Sequence, residues 1–161
     1  MAKYIQKAID RLHLAYETGL AAQLRDVETQ EGIAVDSLTD PVDFLKVFHP
    51  NDNRSPLIMI DDVGAAYADA AGQRNRIMGV DCGVLFSFRA GIDREAGKLF
   101  IRRYVTAMVQ VIEADPVLGE NEAAIIGRID TATDDSKISG QDESSSKFYV
   151  LMEVNVRVHS P

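Results

Sequence analysis

Hydrophobic and polar residues alternate without interruption near the end of the chain. From Phe148 to Val158, eleven residues, Phe148, Val150, Met152, Val154, Val156 and Val158 share one face. Tyr149, Leu151, Glu153, Asn155 and Arg157 occupy the other. A period of two over this length predicts a strand with one side on a core and one side partly wet. The run Val80–Arg89 alternates the same way, with Val80, Cys82, Val84, Phe86 and Phe88 in register. Two other stretches have the helical period. Over residues 3–28, Ile5, Ile9, Leu12, Tyr16, Leu20, Leu24 and Val27 recur at steps of three and four. Over residues 94–114 the pairs Phe100/Ile101, Tyr104/Val105 and Met108/Val109 lead to Ile112, Asp93 can cap the start, and Pro116 stops the helix.

The remaining segments are less regular. Gly19 weakens the middle of the first helix by about 1 kcal/mol relative to alanine and marks a place where it could bend. Asp40-Pro41 offers a cap and a first-turn proline, and the Val42-Phe44-Leu45-Phe48 stretch that follows fits a short helix or a strand. His49–Pro56 reads as a loop, and Leu57–Ile60 as a short strand ending at Asp61-Asp62. Residues 64–75, rich in alanine and glycine, have no clear period and fit a short helix or an irregular loop. Residues 123–131, centred on Ile125, Ile126 and Ile129, predict a further strand. The polar, serine-rich run Thr133–Ser146 reads as a long hairpin tip. Both helical stripes need one sheet to bury against. The expected fold is therefore α+β, two-layer, with a mostly antiparallel sheet of about four strands packed by two main helices.

At 161 residues the chain is expected to be a single domain large enough to need neither disulfide nor metal for stability. Cys82, the single cysteine, has no partner for an internal bridge. No window approaches about 18 uninterrupted apolar residues, so neither a signal peptide nor a membrane span is expected and a cytoplasmic product is the default. The net charge of −8 argues against ordinary DNA binding, which needs clustered lysine and arginine. The charge comes in blocks. Seven acids from Glu17 to Asp43 face only Arg25, seven bases lie between Arg74 and Arg103, and seven acids from Glu113 to Asp135 face only Arg128. Such blocks suit a subunit whose neighbours carry complementary patches, and equally a plain solvated surface.

No constellation of residues names a reaction. Cys82 shares a face with Val80, Val84 and Phe86, which favours core packing over nucleophilic work. Asp61, Asp62 and Asp81 sit at strand ends where carboxylates could hold Mg²⁺, but Glu95 and Lys98 open a helix and do not complete a strand-borne nuclease site. Asp134, Asp135, Asp142 and Glu143 lack the glycine and the spacing of a calcium loop. Neither a cofactor nor a catalytic or metal site is expected. Arg94, Lys98 and Arg102 stand four apart on the second helix, and Lys3, Lys7 and Arg11 do the same on the first. Like charges at that spacing repel by a few tenths of a kcal/mol per pair, a cost that a negative partner would offset.

In the order of its elements the chain resembles the tail terminator, or tail completion, proteins of long-tailed bacteriophages. The likeness lies in the leading helix at 3–28 and the proline-introduced strand Pro56–Ile60. It continues in Gln73-Arg74-Asn75-Arg76 leading into strand 80–89, the helix at 94–114 closed by Ala114-Asp115-Pro116-Val117-Leu118-Gly119, and two final strands. The resemblance implies a non-enzymatic ring subunit, a hexamer, that caps the tail tube and meets the head or neck. Its partners would be other copies of itself, the tail tube protein and a head-completion protein. DNA would pass without specific binding, no membrane would be involved, and the protein would move from host cytoplasm to virion tail. Interface candidates are Arg94, Lys98 and Arg102 on the helix, with Asp134, Asp135, Asp142 and Glu143 around the hairpin tip. Competing classes are a small metal-dependent hydrolase or nuclease built on Asp61, Asp81 and Glu95, and a monomeric α+β adaptor.

Overall fold

A computed structural model describes residues 2–49, 51–68, 77–119, 123–134 and 146–159. The elements run α1 (Ala2–Glu31), β1 (Asp43–Leu45), β2 (Leu57–Ala68), β3 (Ile77–Ala90), α2 (Arg94–Ala114), β4 (Ala123–Asp134) and β5 (Ser146–His159). The strands form one sheet in the order β1-β2-β3-β5-β4, antiparallel except for the short parallel pairing of β1 on β2. The α+β expectation holds, with five strands where about four were expected; β1 is the extra one.

Both helices lie on one face of the sheet. The apolar stripe of α1, including Leu12, Tyr16, Leu20 and Leu24, is buried together with Ile101, Tyr104, Met108 and Ile112 of α2. They cover the inward faces of β3 and β5, where Val80, Cys82, Val84 and Phe86 meet Val150, Met152, Val154 and Val156. Two polar links tie the helical layer together. Tyr16 donates its hydroxyl proton to the Met108 carbonyl at 3.0 Å, and Tyr104 donates to the Thr39 carbonyl at 2.8 Å. Burial raises both phenol pKa values above their ordinary range.

The helix ends follow local chemistry. Asp93 caps α2 by accepting from the Ala96 amide at 2.8 Å. α1 ends at Gly32, whose φ of 65° only glycine takes without strain; its amide bonds the Thr29 carbonyl and the Ile33 amide bonds that of Glu28. Gly19 does not interrupt α1. A Cβ there would stand 3.7 Å from Val111 of α2, so the glycine lies where the two helices touch.

One expectation needs correction, and one open choice between helix and strand is settled. β2 does not end at Ile60 but runs to Ala68, into the stretch with no visible period; residues 69–75 of that stretch lie outside the described residues. A bulge between Asp62 and Gly64 hides the period. Ile58 and Ile60 face the core before it and Ala65 packs on the core after it, so the inward phase moves from even to odd numbers. A second bulge, between Ile126 and Ile129, does the same in β4. The stretch after Asp40-Pro41 is a strand, because Asp43–Leu45 pairs along the edge of β2 and the Val42 amide bonds the Pro56 carbonyl at 2.8 Å.

The other face of the sheet is half covered. Residues 46–56 (Pro50 lies outside the described residues) cross it as a strap. The Phe48 ring sits where a Cβ on Gly83 would be, and the His49 amide meets the Met59 sulfur at 3.2 Å. The Arg89 amide bonds Ser55 Oγ at 2.8 Å, and Lys147 Nζ donates to the Asp52 carbonyl at 3.2 Å. Beneath the strap Leu57, Met59 and Ser87 are buried.

Candidate interaction surfaces

Most of the first acidic block is paired with arginines of the same chain, although only Glu28 among these acids is buried. Arg25, on the last turns of α1, faces Glu28 at 2.7 Å and Asp40 at 3.4 Å and also pairs with Asp36. Glu28, 1% exposed, accepts from the Leu38 amide at 2.8 Å. Burial alone would raise its pKa. The Leu38 and Asp36 amides and the Arg25 guanidinium outweigh burial and hold the carboxyl below its ordinary range. Glu31 pairs with Arg103 across the two helices. Arg54 bridges Asp43 at 2.8 Å and Asp52 at 2.7 Å, and holds Asp52 down to about 2. The Arg25 and Glu28 contacts pin residues 36–40 to α1, the Glu31–Arg103 pair ties the two helices together, and Arg54 braces the segment before β2 against itself.

The cation row on α2 has a different setting. Arg94, Lys98 and Arg102 are all exposed. Among the described residues, Lys98 and Arg102 make no ion pair. Leu99, 45% exposed, stands beside them on the outward side of the helix. On α1 the matching row of Lys3, Lys7 and Arg11 is interrupted by Asp10, which Lys46 approaches at 3.0 Å and Gln6 at 2.9 Å. On α2 the exposed Glu95 stands three residues before Lys98, and no acid lies three or four residues from Arg102. Asp134 ends β4; Asp135, Asp142 and Glu143 lie outside the described residues.

Sequence alone did not bring together a set of acids on the uncovered half of the sheet. Asp61, Gly83 and Glu153 form one row across β2, β3 and β5, and Gly64, Asp81, Asn155 and Ile125 form the next. Asp81 accepts from the Asn155 amide nitrogen at 2.7 Å, and Asp61 accepts from the Phe48 amide at 3.1 Å. Val63 and Ile125, each 48% exposed, flank these carboxylates. The acids are far apart in sequence, and only the strand register with its bulges joins them.

Glu95 does not join Asp61 and Asp81. It sits in the first turn of α2, on the helical side of the sheet. The neighbouring Gly97 lies over Phe148, whose cross-strand partner is Phe88. Asp81 is on the opposite face, seven residues along β3 from Phe88, or about 23 Å at the rise of a strand. Among the described residues no three His, Cys, Asp or Glu side chains are arranged to hold a metal ion. Cys82 is buried, and burial, with Asp62, Asp81 and Asp61 nearby, pushes its thiol up to about 12. A groove of about 340 Å³ opens where Phe88, Phe100 and Tyr104 meet Thr39 and Ser55. It gathers no acid–base or nucleophilic pair among the described residues.

No protein-family profile and no curated protein matches the chain. Among the described residues no helix is long and apolar enough to cross a membrane.

Proposed function

We propose that this chain is the repeating subunit of a homo-oligomeric ring, a hexamer, that caps the tail tube of a long-tailed bacteriophage and joins it to the head or neck. The observation that carries the proposal is the order of elements. A long leading helix precedes an antiparallel β2–β3 pair, α2 follows, and a β4–β5 pair closes the sheet. This is the order on which the resemblance to tail terminator proteins rests. The segment after α2 supports it further. Asp115 caps the helix, the Leu118 amide bonds the Asp115 carbonyl, and Leu118 and Gly119 take positive φ to turn the chain into β4. The cation row on α2 and the acids on the far face of the sheet give the subunit two surfaces of opposite sign, which suit a head-to-tail contact.

In this role the chain acts by shape and charge. It would contact other copies of itself, the tail tube protein and a head-completion protein. DNA would pass through the ring without specific binding. Tail tubes assembled with this chain should stop growing and end in a ring visible by electron microscopy. Tubes that keep the same length distribution and bare ends in its presence would refute the tail assignment.

A further inference from the structure

The ring assignment, on which this inference rests, does not say which surfaces meet. The sheet's outer face supplies one candidate. Its lower half lies under the strap, with Leu57, Met59 and Ser87 buried. Beyond Phe48 the strap gives no cover, and Val63 and Ile125 each stay 48% exposed on either side of Asp81. An antiparallel sheet can leave one face in water, so what marks this half-face is the set of carboxylates between the two apolar residues.

We infer that the uncovered half-face receives the outward side of α2 from a second copy of this chain. Charge complementarity selects that occupant. Asp61, Asp81 and Glu153 occupy three adjacent strands within two rows; of the bases of β5 on that face, Lys147 is held under the strap and Arg157 stands near the far margin. Like charges so placed repel one another. Lys98 and Arg102 repel one another in the same way on α2. Docking one set on the other removes both costs. The apolar parts also match, because Leu99 stands beside the cations as Val63 and Ile125 stand beside the acids. Gly64 keeps the trough low: a Cβ there would meet only Asp81 Oδ2, at 3.7 Å.

The geometry also fixes the kind of assembly. α2 lies on one face of the sheet and the acids on the other. The contact therefore joins two different surfaces and is repeated by every copy. Such head-to-tail contacts close into a ring when the rotation between copies allows it. A contact between identical patches would stop at a dimer.

Two charge reversals test the pairing, each in the full chain with folding checked by circular dichroism. One variant carries Lys98→Glu and Arg102→Glu; the other carries Asp81→Lys and Glu153→Lys. Assembly is followed by sedimentation velocity over a concentration series, alone and with tail tubes. Each variant alone should need at least about tenfold more protein to assemble than the parent, the scale of close charge pairs. An equal mixture should assemble near the parental concentration, because an alternating ring restores every opposite-sign contact. Should either reversal misfold, the alanine versions of the same positions give the same single-variant comparison. Parental assembly by both variants, or a mixture no better than its components, overturns the pairing and leaves the ring standing. A parent that stays monomeric throughout, tail tubes included, removes the ring and the pairing together.

Discussion

Gly97 leaves room for Phe148. A Cβ on Gly97 would lie 2.7 Å from Cδ1 of the Phe148 ring and closer still to Cε1 and Cζ. The first turn of α2 thus rests directly on the Phe148 ring, with no side chain from Gly97 between them. The ring it rests on is itself stacked on Phe88, with centroids 5.1 Å apart.

Gly97→Ala should therefore destabilise the fold, although alanine is the better helix former. The cost expected for overpacking is about 1–3 kcal/mol. Combining it with Phe148→Leu should cost less than the sum of the two single changes, because the shorter side chain vacates the contested volume. Urea unfolding of the four proteins measures this. Additive costs would show that the helix and the ring do not compete for space.

Phe86 and Tyr104 stack at 4.3 Å, where β3 meets α2. Phe86 is fully buried and shares the core with Val84 and Met108. Phe86→Ala should cost about 3–5 kcal/mol, measured as a shift in the denaturation midpoint at constant m-value. A cost below about 1 kcal/mol would contradict this packing.

Glu28 sets a pH dependence. Its folded pKa lies below its ordinary value, so the stability it contributes is complete above the unfolded pKa. It is lost as pH falls through the folded one. Glu28→Gln should lower the urea midpoint at pH 7, and the gap between the two proteins should narrow as pH falls below about 4. A gap that stays constant from pH 7 to pH 3 would show that the carboxylate charge is not what holds Leu38 and Arg25.

Cys82, fully buried with its thiol pushed up to about 12, should resist alkylation by iodoacetamide at pH 8 in the folded protein and react promptly in urea. Mass spectrometry of the labelled chain separates the cases. Prompt labelling of folded protein would show that the inward face of β3 opens readily.

The sequence was most legible where one period runs unbroken. The α2 stripe and its Asp93 cap predicted the observed limits of 94–114, and all six inward residues of β5 are buried. It was least legible at the bulges. Each inserted residue moves the inward phase by one, so β2 beyond Asp61 looked patternless and was not read as a strand. β1 is three residues long and exists because the edge of β2 is there to pair with. The same limit applied to the surface. The cation row on α2 shows as spacing of four in one helix, whereas Asp61, Asp81 and Glu153 meet only through pairing of three strands. Acids that composition pooled into one outward block were divided by the fold, with Arg25, Arg54 and Arg103 taking Glu28, Asp36, Asp40, Asp43 and Glu31 as internal partners.

Native mass spectrometry of the parent chain, alone and after incubation with tail tubes, tests the ring most directly. The expected result is a closed species of about six times the 17.7 kDa chain mass, the hexamer proposed above, present in solution or released from the tube ends. A single 17.7 kDa species at every concentration, with and without tubes, would contradict it.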